Sequence, residues 1–77
     1  MLKKNIEKLQ DILDKLSDIL PELNDVLDEE DIRRDTLAGI PGKEDEYDAA
    51  DGECDALDEA VDGLSEAIEI LEELLDE

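Results

Sequence analysis

Apolar side chains recur every three or four residues through two long stretches of this 77-residue chain, and this spacing constrains its fold more than any other feature. In the first stretch the series is Leu2, Ile6, Leu9, Leu13, Leu16, Leu20, Leu23 and Leu27. In the second stretch it is Tyr47, Ala50, Cys54, Leu57, Val61, Leu64, Ile68, Leu71 and Leu75. Because this alternation puts the side chains along one side of an α-helix, it predicts two long amphipathic helices. We call these two series the seams.

A segment with two glycines and a proline separates the stretches, Leu37-Ala38-Gly39-Ile40-Pro41-Gly42. Gly39 is expected to end the first helix in the left-handed conformation, and Pro41 keeps the helix from resuming. The sequence thus predicts one domain over residues 1–77, with helices over about 2–36 and about 44–76 and a turn over about 37–43.

The two seams share one phase across this turn. If residues whose numbers sum to about 80 or 81 face each other, every layer is apolar, from Leu27 with Cys54 to Ile6 with Leu75. Matching phases are what an antiparallel helical hairpin requires. We therefore predict an all-α fold, an antiparallel two-helix hairpin of coiled-coil type.

Polar residues enter the same register near the turn, where Arg34 faces Tyr47. One interpretation is a cation–π contact in which Arg34 caps the tip of the hairpin. The other is a recognition surface at the tip formed by Arg34, Ile40 and Tyr47.

Pro21 falls inside the first helical stretch, yet the seam keeps its phase on both sides of it. A proline there removes one backbone donor and bends a helix. We expect a kink, and the alternative is a break into two helices with Asp18 as the N-cap of the second.

A further set of apolar residues lies beside the seams, outside the predicted contact. The set consists of Ile12, Ile19, Val26, Ala60 and Ala67, and we call it the apolar stripe. An isolated hairpin of this length buries little apolar surface. The stripe therefore predicts a homodimer in the form of a four-helix bundle, and docking on another protein is the alternative.

Charge is distributed very unevenly. The chain has 27 Asp and Glu against 7 Lys and Arg and no His, a net charge of −20. Residues 1–20 are balanced, whereas residues 44–77 hold sixteen acids and no base. Phosphates and anionic lipids repel such a surface, so the sequence argues against direct binding to nucleic acid or membrane and predicts a basic protein as partner.

Seven acids recur every three or four residues on the predicted outer face of the second helix. They are Asp55, Glu59, Asp62, Glu66, Glu69, Glu73 and Asp76, and we call them the acidic row. Helical rise spaces them by about 5 Å, comparable with successive phosphates of a nucleic-acid strand. The row could equally be a solvated face, but solvated helices usually mix signs, because like charges four residues apart are destabilising.

Catalytic chemistry has few candidates here. Cys54 lies on a seam with no His to activate it, which predicts a small buried side chain, and Ser17 and Ser65 have no neighbouring base. A chain of this length offers no enclosed substrate pocket. We predict a protein that is not an enzyme and has no catalytic residues.

Metal and cofactor sites are not predicted. A calcium loop with Gly52 at its sixth position would place Tyr47 first and Ala49 third, and neither supplies a carboxylate. One Cys without His argues against zinc. An odd single Cys and the lack of an apolar run of about eighteen residues predict a cytoplasmic protein.

Three segments carry a resemblance to a known group: residues 35–41 (Asp35-Thr36-Leu37-Ala38-Gly39-Ile40-Pro41) with 44–47, residues 57–62 (Leu57-Asp58-Glu59-Ala60-Val61-Asp62), and residues 66–68 (Glu66-Ala67-Ile68). Together these resemble the small acidic helical-hairpin proteins of bacteriophages and prophages over roughly the second two-thirds of the chain. Most members of that group have no assigned function. The resemblance implies a phage-encoded protein in the host bacterial cytoplasm, and in phages small acidic proteins often inhibit host defence by occupying basic nucleic-acid clefts.

The sequence thus predicts an acidic inhibitor that mimics nucleic acid on a basic surface of a host defence nuclease, of the anti-CRISPR or anti-restriction type. The alternative is a structural or adaptor coiled-coil module that acts through its apolar stripe.

Overall fold

The fold is a pair of long α-helices in mutual contact. The computed structural model describes residues 1–76, in which α1 spans Lys3–Ala38, α2 spans Glu44–Leu75 and no strand occurs. The molecule measures 59 × 15 × 14 Å. A helix of 36 residues is about 54 Å long, so α1 alone accounts for nearly the whole length and α2 must lie back along it. The prediction of an all-α fold with two helices is confirmed.

α1 runs without interruption through Pro21. The alternative of two shorter helices is therefore wrong. Proline removes the hydrogen bond that its nitrogen would donate to the carbonyl of Ser17. Pro21 and Ser17 are both exposed, so water can satisfy that carbonyl and the helix continues.

The left-handed glycine of the turn is not the one that was predicted. Gly39 has φ −94° and ψ 2°, which is not left-handed, and the left-handed residue is Gly42 at φ 85°. α1 continues to Ala38, two residues beyond the predicted end. The nitrogen of Lys43 then donates to the carbonyl of Ile40 at 3.3 Å. Proline followed by glycine at positive φ inside such a bond is the pattern of a type II turn, which reverses the chain.

The core is a single line of contact between the two seams. Its buried residues all belong to α2 and are Ala50, Cys54, Val61 and Ile68. The α1 seam from Ile6 to Leu27 is only half-buried, and α1 has no buried residue. Two cylinders cover each other along one side only, so a pair of helices cannot enclose most of its leucines. The hairpin therefore folds around a thin core.

Polar contacts near the turn fix the register there. The cross-helix ion pairs are Arg33 with Glu53 and Arg34 with Asp51. Their numbers sum to 85 or 86, so the predicted register of 80 or 81 is short by about one helical turn at this end. Such a slip keeps the seams together, because a sum of 84 also pairs apolar residues, for example Leu20 with Leu64.

Repulsion along α2 predicts a marked response to salt. Like-charged pairs four residues apart include Asp55 with Glu59, Asp58 with Asp62, Asp62 with Glu66, Glu69 with Glu73 and Glu72 with Asp76. Each destabilises a helix modestly, and salt screens it. Raising NaCl from 20 to 500 mM should raise the Tm by about 5 to 10 °C. Thermal unfolding monitored by circular dichroism measures this change. A Tm that is unchanged or lower at high salt would show that this repulsion does not limit stability.

Candidate functional site

The acidic row lies on the outer face of α2. Its residues, Asp55, Glu59, Asp62, Glu66, Glu69, Glu73 and Asp76, are all exposed, and Asp76 is the C-cap of the helix. The seam occupies the opposite side of α2, against α1, so packing itself turns the row outward. From Asp55 to Asp76 the row is about 32 Å long at 1.5 Å per residue.

In the part of the chain that the structure describes, counter-charges reach α2 only near the turn. Within residues 1–76, the ion pairs that involve acids of α2 join Arg33 to Glu53 and Arg34 to Asp51, both at 3.4 Å, and Lys43 to Glu46 at 3.1 Å. These pairs end at Glu53, before the acidic row begins. The lysines of α1 lie far from them in its first half, where Lys15 pairs with Asp11 at 3.2 Å. The row thus presents seven carboxylates without a cation from the described part of the chain.

Arg34 is held by carboxylates. Its guanidinium nitrogens lie 3.4 Å from Asp35, 3.4 Å from Asp51 and 3.7 Å from Asp31. Partial burial alone would lower the pKa of Arg34, but the nearby Asp31 and Asp35 outweigh it and raise the pKa. The guanidinium therefore neutralises a local excess of negative charge between α1 and α2 near the turn. Its ion-pair partners are carboxylates and not the Tyr47 ring of the cation–π interpretation.

Ile40 and Tyr47 come together elsewhere on the tip. They line an open depression of about 520 Å³ whose other walls are Leu37, Ala38, Gly39, Pro41, Glu44 and Asp48. Ile40 is 42 % exposed and Tyr47 is half-buried. The three predicted tip residues thus divide between two places, Arg34 in the carboxylate cluster and the other two around this depression.

Cys54 is buried against α1, with 3 % of its surface exposed. Burial raises the pKa of its thiol, and the hydrogen bond and negative charge of Asp31 raise it further, while the positive charge of Arg34 opposes them. A thiol that keeps its proton is a poor nucleophile and metal ligand. Cys54 therefore acts as a small packing side chain.

A second, smaller depression lies beside this thiol. It has a volume of about 180 Å³ and is lined by Leu27, Asp31, Arg34, Cys54, Asp55 and Asp58. In the described residues no three His, Cys, Asp or Glu side chains are grouped closely enough to hold a metal ion. Neither depression is enclosed, so the long acidic and apolar surfaces are the features of the hairpin that a partner could recognise.

The apolar stripe lies along one edge of the groove between the helices. Ile12, Ile19 and Val26 are 44 %, 47 % and 46 % exposed, Ala60 is exposed and Ala67 is half-buried. Arg33 lies seven residues after Val26, and Glu53 lies seven before Ala60. Because Arg33 and Glu53 meet in an ion pair, the two halves of the stripe belong to the same edge of the hairpin.

Sequence reasoning missed a second line of small and apolar residues that runs along this edge on α2. It consists of Ala56, Gly63, Ile70 and Leu74, all exposed, with Ile70 at 57 % and Leu74 at 41 %. Together with Ala60 and Ala67 these residues again alternate steps of three and four. This spacing is the sequence signal from which the second line could have been predicted. We call Ala56, Ala60, Gly63, Ala67, Ile70 and Leu74 the small-residue line.

Comparison of the chain with protein-family models, with curated proteins and with solved structures gives no match. The resemblance to phage hairpin proteins therefore stays a prediction. Neither described helix contains a stretch apolar enough to cross a lipid bilayer.

The environment of Cys54 predicts a slow reaction with thiol reagents. At pH 8 the native protein should be alkylated by iodoacetamide at least tenfold more slowly than the same protein in 6 M guanidinium, because the reactive thiolate is both scarce and covered. Mass spectrometry over time measures both rates. Equal rates would place the thiol at the surface.

The same pKa shift predicts a dependence of stability on pH. The folded thiol holds its proton where the unfolded chain has lost it, so its contribution to stability is complete below a pH of about 8.5 and declines as pH rises through the folded pKa. The loss of Tm between pH 7 and pH 10 should be larger in the wild type than in Cys54→Ala. Equal losses would contradict the shift.

Proposed function

We propose that this protein is a phage-encoded, non-enzymatic inhibitor that acts in the bacterial cytoplasm as a mimic of nucleic acid. Its target would be a basic, nucleic-acid-binding surface of a host defence nuclease, of the anti-CRISPR or anti-restriction type. The acidic row, seven exposed carboxylates without partners in the described chain, is the observation that supports this proposal most directly.

The dimensions of the row suit this role. Its carboxylates follow one another at about 5 Å over a length of about 32 Å, which is close to one turn of a DNA duplex. A basic cleft that neutralises several phosphates could meet several of these carboxylates at once. The rigidity of a helix favours such binding, because the charges are already in line before the partner arrives.

Loss of the row's charge should therefore weaken binding. The test variant carries Glu59→Gln, Glu66→Gln, Glu69→Gln and Glu73→Gln, and the control carries Asp14→Asn, Asp18→Asn, Asp25→Asn and Asp28→Asn on exposed positions of α1. Both changes remove four negative charges. The assay is calorimetry or interferometry against a panel of purified CRISPR effector complexes and restriction nucleases at 50 and 300 mM NaCl.

The wild type should bind a member of the panel with an affinity that falls at least tenfold at the higher salt, and DNA or guide RNA should displace it. The row variant should bind at least tenfold more weakly, and the α1 control should stay within about threefold. An affinity that does not change with salt or added nucleic acid, or an equal loss of affinity in both variants, would contradict the proposal of a nucleic-acid mimic.

A structural or adaptor role through the apolar stripe is the second candidate, and three exposed β-branched side chains support it. Within either role, we propose that two hairpins associate as a homodimeric four-helix bundle. In a single hairpin the side chains of Ile12, Ile19 and Val26 are exposed to water. Association of two hairpins would bury this apolar surface. If the adaptor role is the true one, Ile12→Gln with Ile19→Gln should abolish partner binding while the row variant keeps it.

A further inference from the structure

Charged residues beside the apolar stripe change sign halfway along α1. Lys8, Lys15, Glu22 and Glu29 recur every seven residues, and all four are exposed. Each lies three or four residues from a member of the stripe, so Ile12 has a lysine on either side and Val26 has a glutamate on either side. The stripe therefore has a basic rim along its first half and an acidic rim along its second.

When two copies of this rim lie antiparallel, the basic half of each is opposite the acidic half of the other. We propose that a second copy of the chain packs on this edge about a twofold axis perpendicular to the rod at the level of Ile19, with the two turns at opposite ends. α1 then runs antiparallel to α1 of the second copy. Lys8 lies opposite the partner's Glu29, and Lys15 lies opposite the partner's Glu22. The rim pairs sum to 37, and Ile19 with its own counterpart sums to 38. The two axis positions differ by half a residue, so one axis near Ile19 brings both sets together.

The small-residue line of α2 fits the same axis. Because the cross-helix ion pairs sum to 85 or 86 and the apolar layers of that register sum to 84, Ile19 is level with residues at about 65 to 67 of α2. An axis at position 65 places Ala60 opposite the partner's Ile70 and Gly63 opposite the partner's Ala67. The large Ile70 then meets the small Ala60, two small residues meet at Gly63 and Ala67, and open space surrounds Gly63 on this surface. Small residues let two helices approach closely.

The reverse arrangement, with both turns at one end, loses the pairing of Lys15 with Glu22. It sets α1 against α2 of the second copy, and in the register of cross-helix pairs that sum to 85, Lys15, Glu22 and Glu29 lie level with the partner's uncharged Ile70, Gly63 and Ala56. The face available is also adequate. A rod 59 Å long and 15 Å wide offers about 900 Å², against roughly 800 Å² per partner in a stable interface of standard size.

This inference rests on the homodimer of the proposed function and adds its orientation. The acidic rows lie on the far sides of the two α2 helices from the interface, so a dimer of this form displays both rows to solvent. Mimicry and association would then use separate surfaces of the same molecule.

Charge exchange tests the orientation. The first variant carries Lys8→Glu and Lys15→Glu, the second carries Glu22→Lys and Glu29→Lys, and the third carries all four changes. Sedimentation velocity at 100 mM NaCl measures the dimer dissociation constant of each and of an equimolar mixture of the first two. Asp14→Lys with Asp28→Lys, away from the stripe, is the control for the net charge of the second variant.

The first and second variants alone should dimerise at least tenfold more weakly than the wild type, since like charges then face each other. Their mixture should form heterodimers of near wild-type affinity, the third variant should recover homodimers, and the control should dimerise normally. A wild-type dimer that the exchanges leave unaffected, or weak variants that the mixture does not rescue, would overturn this orientation while leaving the homodimer in place. A wild type that stays monomeric up to 1 mM would overturn both.

Cross-linking gives a second measurement that does not depend on charge. In a Cys54→Ala background, Ile19→Cys should oxidise rapidly to a disulfide-linked dimer, because the two thiols face each other across the axis. Asp18→Cys, one residue away on the outer face, should not. Equal cross-linking of the two variants would contradict an axis at Ile19.

Discussion

The contact between the two seams is the interaction on which the rest of the structure depends. It sets the hairpin, because two matched apolar lines of about the same length exclude water only when they lie side by side. It is also thin. Ala50, Cys54, Val61 and Ile68 are the buried residues, and the leucines of α1 keep part of their surface in water. A core of this kind holds a shape but leaves much apolar surface available for further association.

The position of the seams determines what each remaining face can do. The acidic row is turned outward because it lies opposite the α2 seam, and no lysine or arginine within Glu44–Leu75 offsets it. The apolar stripe lies at one edge, flanked by a rim that changes sign. The tip uses its three cations, Arg33, Arg34 and Lys43, to neutralise nearby acids. Three of the chain's seven cations thus lie near the turn, where they offset nearby acids.

Much of this architecture could be predicted from the sequence, and the errors have physical reasons. Periodicity identified both helices because it extends over many turns. The register was one turn short near the tip, because a seam with steps of three and four stays apolar after such a slip. Gly39 was expected to be left-handed, yet Pro41 followed by Gly42 formed the turn instead. A break at Pro21 was an open alternative, but its exposed position lets the helix continue.

The candidate surfaces were predictable to different degrees. Helical spacing alone places the acidic row and the apolar stripe on definite faces of their helices. The partners of Arg34 were not predictable, because a long guanidinium side chain has Asp31, Asp35 and Asp51 within reach, and only coordinates select among them and Tyr47. The small-residue line escaped notice because alanine and glycine contribute little to a hydrophobic pattern, although they allow close packing.

We propose that one hairpin is too thinly packed to be the complete folded unit and that a second copy of the chain completes it. Thermal unfolding at 2 and 200 μM protein in one buffer tests it most directly. A folded dimer that unfolds to separate chains must show a Tm that rises with concentration, and a rise of several degrees over this hundredfold range is the predicted result. A Tm that is the same at both concentrations, with a cooperative transition, would contradict the claim by showing that the single hairpin is stable alone.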